Sequence, residues 1–388
     1  MKLVVQLKLT PTPGQASALA ATLHALNEQA NWASEIAFSE KAFRNYTLRK
    51  HTYAQIRAAG IGSQAAQHVI KKVADAYTAL KANLDNGNNG KPGSKLRRKV
   101  ESKPIAFRPD AAHPYDQRNL SFVLDAQTIS LWTLQGRLKD VPFACSPETL
   151  KALGEYKRGE SDLLCRDGMW LLAVTLDVPE AEQFEPDGFI GVDLGIENIA
   201  TSSTGYKAAG RSLNRYRKRQ LDLRAKLQKK QTKSAERRLK ERRRREARHV
   251  KNSNHIIAKT IVAEAERTSS GISLEELKGI RQRVRLRKPQ RATLHSWAFA
   301  QLGKFIVYKA RRAGVPVVYV DPAYTSQTCA DCHHVDRRNR VDQGLFIFRG
   351  CGVVAHADRN ASHNIAQRGE SVWNAGRESR VPPPSPAG

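Results

Sequence analysis

No apolar run in the chain approaches the roughly 18 residues that a membrane-spanning helix requires, so no spanning segment is expected. The opening stretch, "MKLVVQLKL", alternates apolar and polar residues and reads as a strand. It lacks the apolar block of a signal peptide. Cysteine is scarce, at five residues, and three of them (Cys329, Cys332 and Cys351) are crowded together. That clustering points to metal rather than to a secreted disulfide framework. Acids are also in short supply: 37 Asp plus Glu face 65 Lys plus Arg, leaving a net charge of +28. A surplus that large opposes compaction unless a polyanion offsets it, which favours nucleic acid over acidic lipid as the partner. The expectation is a soluble, cytoplasmic protein associated with the nucleoid.

At 388 residues the chain exceeds one ordinary core, and two or three domains are expected. After the first strand, "TPTPGQ" breaks the alternation and opens a helical region. Leu19, Leu23 and Leu26 recur there at helical spacing, and "SQAAQHVIKKVADAYTALKANL" is amphipathic through Val69, Ile70, Val73, Tyr77 and Leu80. The turn formers of "DNGNNGKPG" end it, so a small helical bundle is predicted over residues 11–86. From about 104 to 180 the pattern changes to short strands, clearest in "SFVLDAQTISLWTL", "GRLKDVPF" and "GMWLLAVTLDVP". A small barrel or sandwich is expected, which the first strand could join. "EAEQFEPDG" then reads as a linker.

Residues 211–251 hold 19 Lys or Arg against 4 acids, a net of +15 and over half the charge of the molecule. One or two long helices are predicted. A charge run is usually a solvated helix face. Here "ERRRREARHVK" sets like charges at neighbouring and i, i+4 positions, where they repel. Phosphates lying beside it would offset that repulsion, so Arg242, Arg243, Arg244 and Arg245 are candidate nucleic-acid contacts.

"GFIGVDLGIENIATSSTG" is an apolar segment that ends on Asp193, turns and resumes as a strand. An acid is costly in such a setting unless its charge is used. "SSGISLEELKGIRQR" repeats the form with Glu275 and Glu276, and in "HADRNASHNIAQRG" Asp358 opens a predicted helix. Any one such acid is more often a turn former or a helix cap, and "VDLG" also occurs in the phosphate loop of actin-like ATPases. No second glycine-rich phosphate loop accompanies it here, and the basic excess does not suit that class. Three carboxylates meeting at the end of one sheet are what two Mg²⁺ ions need, because hard cations prefer oxygen donors. Two such ions can activate water and stabilise the leaving oxygen of a phosphodiester.

Four stretches carry a family resemblance: "GVDLGIENIATSSTG", "LEELKGIRQR", "LHSWAFAQLGKFIVYKARRAGVPVVYVDPAYTSQTCADC" and "CGVVAHADRNASHNIA". In these the chain resembles TnpB, the RNA-guided DNA nuclease of bacterial insertion sequences and a relative of type V CRISPR effectors. The resemblance implies a multidomain α/β plus β protein. An RNase H-like (RuvC) nuclease domain would span 184–322 and 353–370, with catalytic, Mg²⁺-binding acids at Asp193, Glu275 and Asp358. Glu275 is preferred to Glu276 because it stands two residues before Leu277. A wedge-like β-barrel would use 1–10 and 87–183, a helical recognition insert 11–86, a zinc-ribbon-like target-binding insert 323–352, and a disordered tail 371–388. It further implies a guide RNA from the transposon end, a double-stranded DNA target beside a short motif, and a monomer acting with its RNA. Arg283, Arg285 and Arg287 join the nucleic-acid contacts.

The family's usual second cysteine pair is incomplete, since "FRGCG" places Phe348 where a cysteine is expected. Zinc is normally four-coordinate in structural sites. Cys329, Cys332 and Cys351 could be completed by His333, His334, His356 or water; alternatively the metal is lost and Phe348 packs in a small core. Trp297, Phe299, Leu302, Phe305, Ile306 and Tyr308 read as helix packing, His255 as core or cap, and Cys145 and Cys165 as burial alone. The proline-rich end, "RVPPPSPAG", is expected to be disordered. Two other functions compete with RNA-guided cleavage. One is an RNA-guided DNA-binding repressor that does not cut, in relatives that have lost acids; the other is a transposase using the same acids, for which no DNA-end-recognition module is apparent.

Overall fold

The computed structural model describes residues 1–277, 299–342, 344–352 and 354–378. It divides into two compact units, Met1–Pro179 and Glu180–Gly388. No helix among the described residues is long and apolar enough to cross a membrane.

The first unit holds seven antiparallel strands: β1 (Lys2–Leu9), β2 (His113–Tyr115), β3 (Leu120–Val123), β4 (Thr128–Thr133), β5 (Gly136–Ala144), β6 (Lys157–Arg166) and β7 (Met169–Asp177). Their order, β2-β6-β7-β1-β5-β4-β3, makes a nearly closed, barrel-like sheet with β1 in the middle. The alternation read in "MKLVVQLKL" turns Leu7 and Leu9 inward, onto Val141, Phe143, Leu172 and Val174. Three helices follow β1: α1 (Pro13–Ser39), α2 (Asn45–Ala58) and α3 (Ser63–Asp85). Thr12 caps α1 reciprocally, its Oγ1 accepting from the Gln15 N–H while its own N–H donates to Gln15 Oε1. Their shared core joins Leu26, Ala33 and Leu48 to Val69, Ile70 and Val73.

Two short helices also lie in this unit, α4 (Lys95–Glu101) and α5 (Pro147–Glu155), in stretches read from sequence as part of the strand-built region. Ser94 and Ser146 account for both, each accepting the backbone N–H three residues on. β6 is a further strand outside the three clearest ones. Lys157, Arg158, Asp162 and Arg166 are exposed along it, and its inward-facing side is marked by Ser161 and Leu163.

The second unit is built on a five-stranded sheet of β8 (Phe189–Asp193), β9 (Asn198–Ser202), β10 (Lys207–Ala209), β11 (Gly271–Glu275) and β12 (Val317–Val320). The order is β10-β9-β8-β11-β12. The first three strands are an antiparallel meander, whereas β8, β11 and β12 run parallel. Between β10 and β11 come α6 (Arg211–Lys230) and α7 (Lys233–Arg267); α8 (Phe299–Ala313) leads to β12. The small hairpin β13 (Leu345–Ile347) and β14 (Val354–His356) precedes α9 (Ala357–Glu378).

The two faces of this sheet are covered differently. Ile190, Val192, Ile272 and Leu274 share a core with Ile257, Ile261 and Val262 of α7 and with Phe299, Leu302 and Ile306 of α8. The alternate residues lie against α9. A Cβ on Gly191 would run into the backbone of Ser362 and Ala366, and one on Gly369 would meet Ser273. Glycine therefore lets α9 lie directly on β8 and β11. α9 continues to Glu378, so residues 371–378, grouped with the disordered tail on sequence, are helical. Residues 379–388, with the rest of the proline-rich end, lie outside the described residues.

Candidate active site and cysteine cluster

Strand periodicity explains why an apolar segment ends on an acid. Side chains alternate along β8, so Asp193 shares the α9 side with Gly191 while Ile190 and Val192 enter the core. β11 pairs in parallel with β8 through Leu274 and Val192, which sets Glu275 beside Asp193 at the carboxyl ends of neighbouring strands. Such ends are where open α/β sheets form their ligand crevices. Asp358 lies in the first turn of α9, where the helix dipole favours a negative charge. Glu276 is exposed, whereas Glu275 is half-buried.

Burial pushes the Asp193 carboxyl up to about 8, and the charges of Glu275 and Asp358 add to the rise; Arg340 opposes it. Burial likewise raises Glu275, against the Thr325 hydroxyl and Arg368. Thr325 Oγ1 donates to Glu275 Oε1 at 2.5 Å. Asp358 is buried and accepts from Asn198 Nδ2 at 2.6 Å, and Arg340 Nη2 stands 3.8 Å from its other oxygen. Asn198, Thr325, Arg340 and Arg368 were not singled out from the sequence. Their partners are remote in the chain, so no local spacing announces them.

The thiols of Cys329, Cys332 and Cys351 lie within 4.8 Å of one another. The Cys329 and Cys351 sulfurs are 3.9 Å apart, and the Cys332 N–H donates to Cys329 Sγ. Burial lifts the Cys329 thiol to about 11, while hydrogen bonding lowers Cys332. Of the proposed fourth ligands, His356 is engaged elsewhere: its Nδ1 accepts the Asp358 N–H and its Nε2 faces Lys207 Nζ at 3.4 Å. Phe348 is buried with Phe346, Cys329 and Ala357, its ring 4.7 Å from that of Phe346. The three thiols gather closely enough to share a metal, and Phe348 packs in a small core beside them.

α6 and α7 form a basic helical hairpin. Gln231, in the left-handed region at φ 49°, ends α6, and the Thr232 hydroxyl caps α7. Arg224 pairs with Glu246 across the hairpin at 2.6 Å, and Arg242 reaches Gln220. Arg245 pairs with Glu241 along α7. Arg243 and Arg245 are exposed, Arg242 and Arg244 half-buried. Arg283, Arg285, Arg287 and Trp297 lie outside the described residues. His255 stacks on Phe305 at 3.9 Å and meets the Tyr308 hydroxyl, a packing position.

The family model of the Cas12f1-like TNB domain matches residues 299–365, the segment from α8 to the middle of α9. The CRISPR-associated endodeoxyribonuclease Cas12f1 of Sulfoacidibacillus thermotolerans is 31% identical over 234 residues, covering 55% of this chain and 54% of that protein. A TnpB-like protein of Methanocaldococcus jannaschii is 33% identical over 129 residues, covering 33% of this chain and 46% of that one. The putative RNA-guided DNA endonuclease InsQ of Escherichia coli is 25% identical over 228 residues, 54% of this chain and 56% of its own length. The chain thus spans about half the length of the curated relatives it matches. Among solved structures, Cas12f1 in complex with single-guide RNA and target DNA superposes with a TM-score of 0.61 at 14% identity, over 94% of this chain and 98% of that one. That likeness is one of fold. The resemblance to TnpB is accordingly matched by relatives that carry the TnpB and Cas12f names.

Proposed function

We propose that the chain is an RNA-guided DNA endonuclease whose second unit is an RNase H-like (RuvC) nuclease domain, with Asp193, Glu275 and Asp358 as its catalytic acids. The observation that carries this reading is the placement of Asp193 and Glu275 at adjacent parallel strand ends, with the charge of Asp358 acting on the first of them. The names of the relatives support it, as does the basic hairpin.

The donor set fits magnesium. Burial first, and then the charges of Glu275 and Asp358, raise the Asp193 carboxyl to about 8 against the opposing Arg340, and a bound cation would relieve both; oxygen donors suit a hard one. When bound, magnesium would activate a water and stabilise the leaving oxygen of the phosphodiester. The protein's part is positional. Asn198 fixes one oxygen of Asp358, Thr325 fixes one oxygen of Glu275, and Arg340 holds a cation where a phosphate would approach. The three thiols fit zinc with one position left for water, and would hold the segment after β12 together. Guide RNA and double-stranded DNA are the proposed partners, with base pairing giving specificity and basic surfaces holding backbone.

The test is plasmid cleavage with the purified protein, its own RNA and Mg²⁺. Cutting at the matched site that disappears in Asp193→Ala, with RNA binding retained, supports the reading. Tight target binding with no product over hours would favour the repressor instead.

A further inference from the structure

A cleft of about 760 Å³ opens in the first unit among the ends of α1, α2, α3 and α4. That volume lies in the range of ligand sites. Phe38, Phe43 and Tyr77 supply its aromatic surface, and Lys41, Lys81 and Lys103 are among its cations. Five Lys or Arg side chains line it against two acids, a local surplus of +3; one of the acids, Glu101, is already paired with Arg97 at 2.9 Å.

The aromatic platform is held in place before any ligand arrives. Tyr77 is buried, and its hydroxyl contacts both the side chain and the carbonyl of Ser34 and accepts the Ile105 N–H. The Phe43 ring leans on it at 4.7 Å yet is 38% exposed. The turn after α1 aims it there, with Lys41 in the left-handed region at φ 54° and the Ala42 N–H closing on Ala37 O. The Lys41 ammonium sits 4.4 Å over the Phe38 ring, a cation presented on an aromatic face.

We propose that this cleft binds an unpaired base of a nucleic-acid strand, with Phe43 as the exposed stacking face and the lysines around it taking the flanking phosphates. Aromatic faces accept any base, and ammonium groups meet the backbone without reading sequence. Charge complementarity commits the cleft to this occupant. The inference rests on the nucleic-acid-binding reading above and adds a site for a single strand.

The test compares a short single-stranded oligonucleotide with a blunt duplex of equal length, titrated by fluorescence anisotropy against the full chain. Phe43→Ala should weaken single-strand binding about 5- to 150-fold, the range implied by about 1–3 kcal/mol per stacked base. Duplex affinity and the thermal melt should stay as in the wild type, and Phe43→Tyr should bind like the wild type. A photocrosslink from a halogenated pyrimidine in the single strand should map to Phe43 or Tyr77. Equal loss on both nucleic acids, or no loss on either, overturns the proposal. So does wild-type self-association that Phe43→Ala abolishes while single-strand binding is unchanged, which would give the cleft to a second copy. Failure of the nuclease reading is separable: Phe43-dependent binding without plasmid cleavage sinks only that reading, and cleavage without Phe43 dependence sinks only this one.

Discussion

Arg340 Nη2 lies 3.8 Å from Asp358 Oδ1 although the two residues come from different segments, one before β13 and the other at the start of α9. The same guanidinium opposes the rise in the Asp193 carboxyl. A cation at that position acts on two of the acids, Asp358 and Asp193, and would face a phosphodiester in the proposed complex. Arg340→Ala should lower single-turnover cleavage by about 10²–10³-fold, the usual cost of removing one preorganised electrostatic donor. Guide-RNA binding should be unaffected. Arg340→Lys should recover part of the loss, since it restores charge without the planar fork. Wild-type cutting by the alanine variant would remove Arg340 from the mechanism.

The raised Asp193 carboxyl makes a prediction for the metal-free protein. Its folded value of about 8 lies above the ordinary 3.8, so the folded state holds a proton that the unfolded chain releases. The stability linked to that proton is complete below pH 3.8 and is lost as pH rises toward 8. Asp193→Asn, which cannot ionise, should therefore melt above the wild type at pH 8 in chelator. A gain of a few °C is expected, at about 2–4 °C per kcal/mol for a domain of this size. The gap should narrow toward pH 4, and cleavage should be absent throughout. Equal melting temperatures at both pH values would show that neither burial nor the neighbouring charges raise this carboxyl.

Much of this site could be read from the sequence because its logic is periodic. Asp193 and Glu275 each end a short apolar strand, and the phase of the alternation places each on one face. Asn198 could not be read that way. It sits among residues that spell a turn and a strand, and its purpose is visible only in Asp358, 160 residues on. Thr325 and Arg340 are hidden for the same reason. The short helices α4 and α5 escaped because a serine cap and two to three turns leave little periodic signal. The glycines carry the converse lesson: Gly191 looks like a flexible point in "GFIGVD", yet it is where a helix lies on a strand.

That close approach predicts a large mutational effect. Gly191→Ala would push its methyl into the backbone of Ser362 and Ala366, where no side chain can rotate away. Overpacking of a tight core costs about 1–3 kcal/mol, occasionally more, and backbone neighbours place this site at the upper end. The variant should show a lower melting temperature and reduced soluble yield, with Asp358 displaced from Asp193. A thermal melt unchanged from the wild type would contradict the direct packing of α9 on β8.

The cysteine cluster predicts metal stoichiometry. Native mass spectrometry should find about one zinc per chain, and Cys351→Ser should abolish it, because two thiols are too few for a structural site. Phe348→Ser should retain the zinc but melt lower, since it empties the small core shared with Phe346. A wild-type protein free of zinc after expression in zinc-supplemented medium would leave the cluster as packing alone.

The basic hairpin is testable through salt. Arg243 projects from α7 as an exposed side chain, while Arg245 beside it pairs with Glu241 and Arg242 reaches Gln220. If Arg243 meets a phosphate, each contact it makes releases a condensed counterion. The slope of log affinity against log salt then falls by about one when it is removed. Arg243→Ala should show this reduced slope with guide RNA and weaken unrelated RNA equally, because a phosphate contact carries no sequence information. Arg245→Ala should change the slope less, as part of that charge is already spent on Glu241. A larger effect at 245 than at 243 would reverse this assignment of the hairpin's outward face.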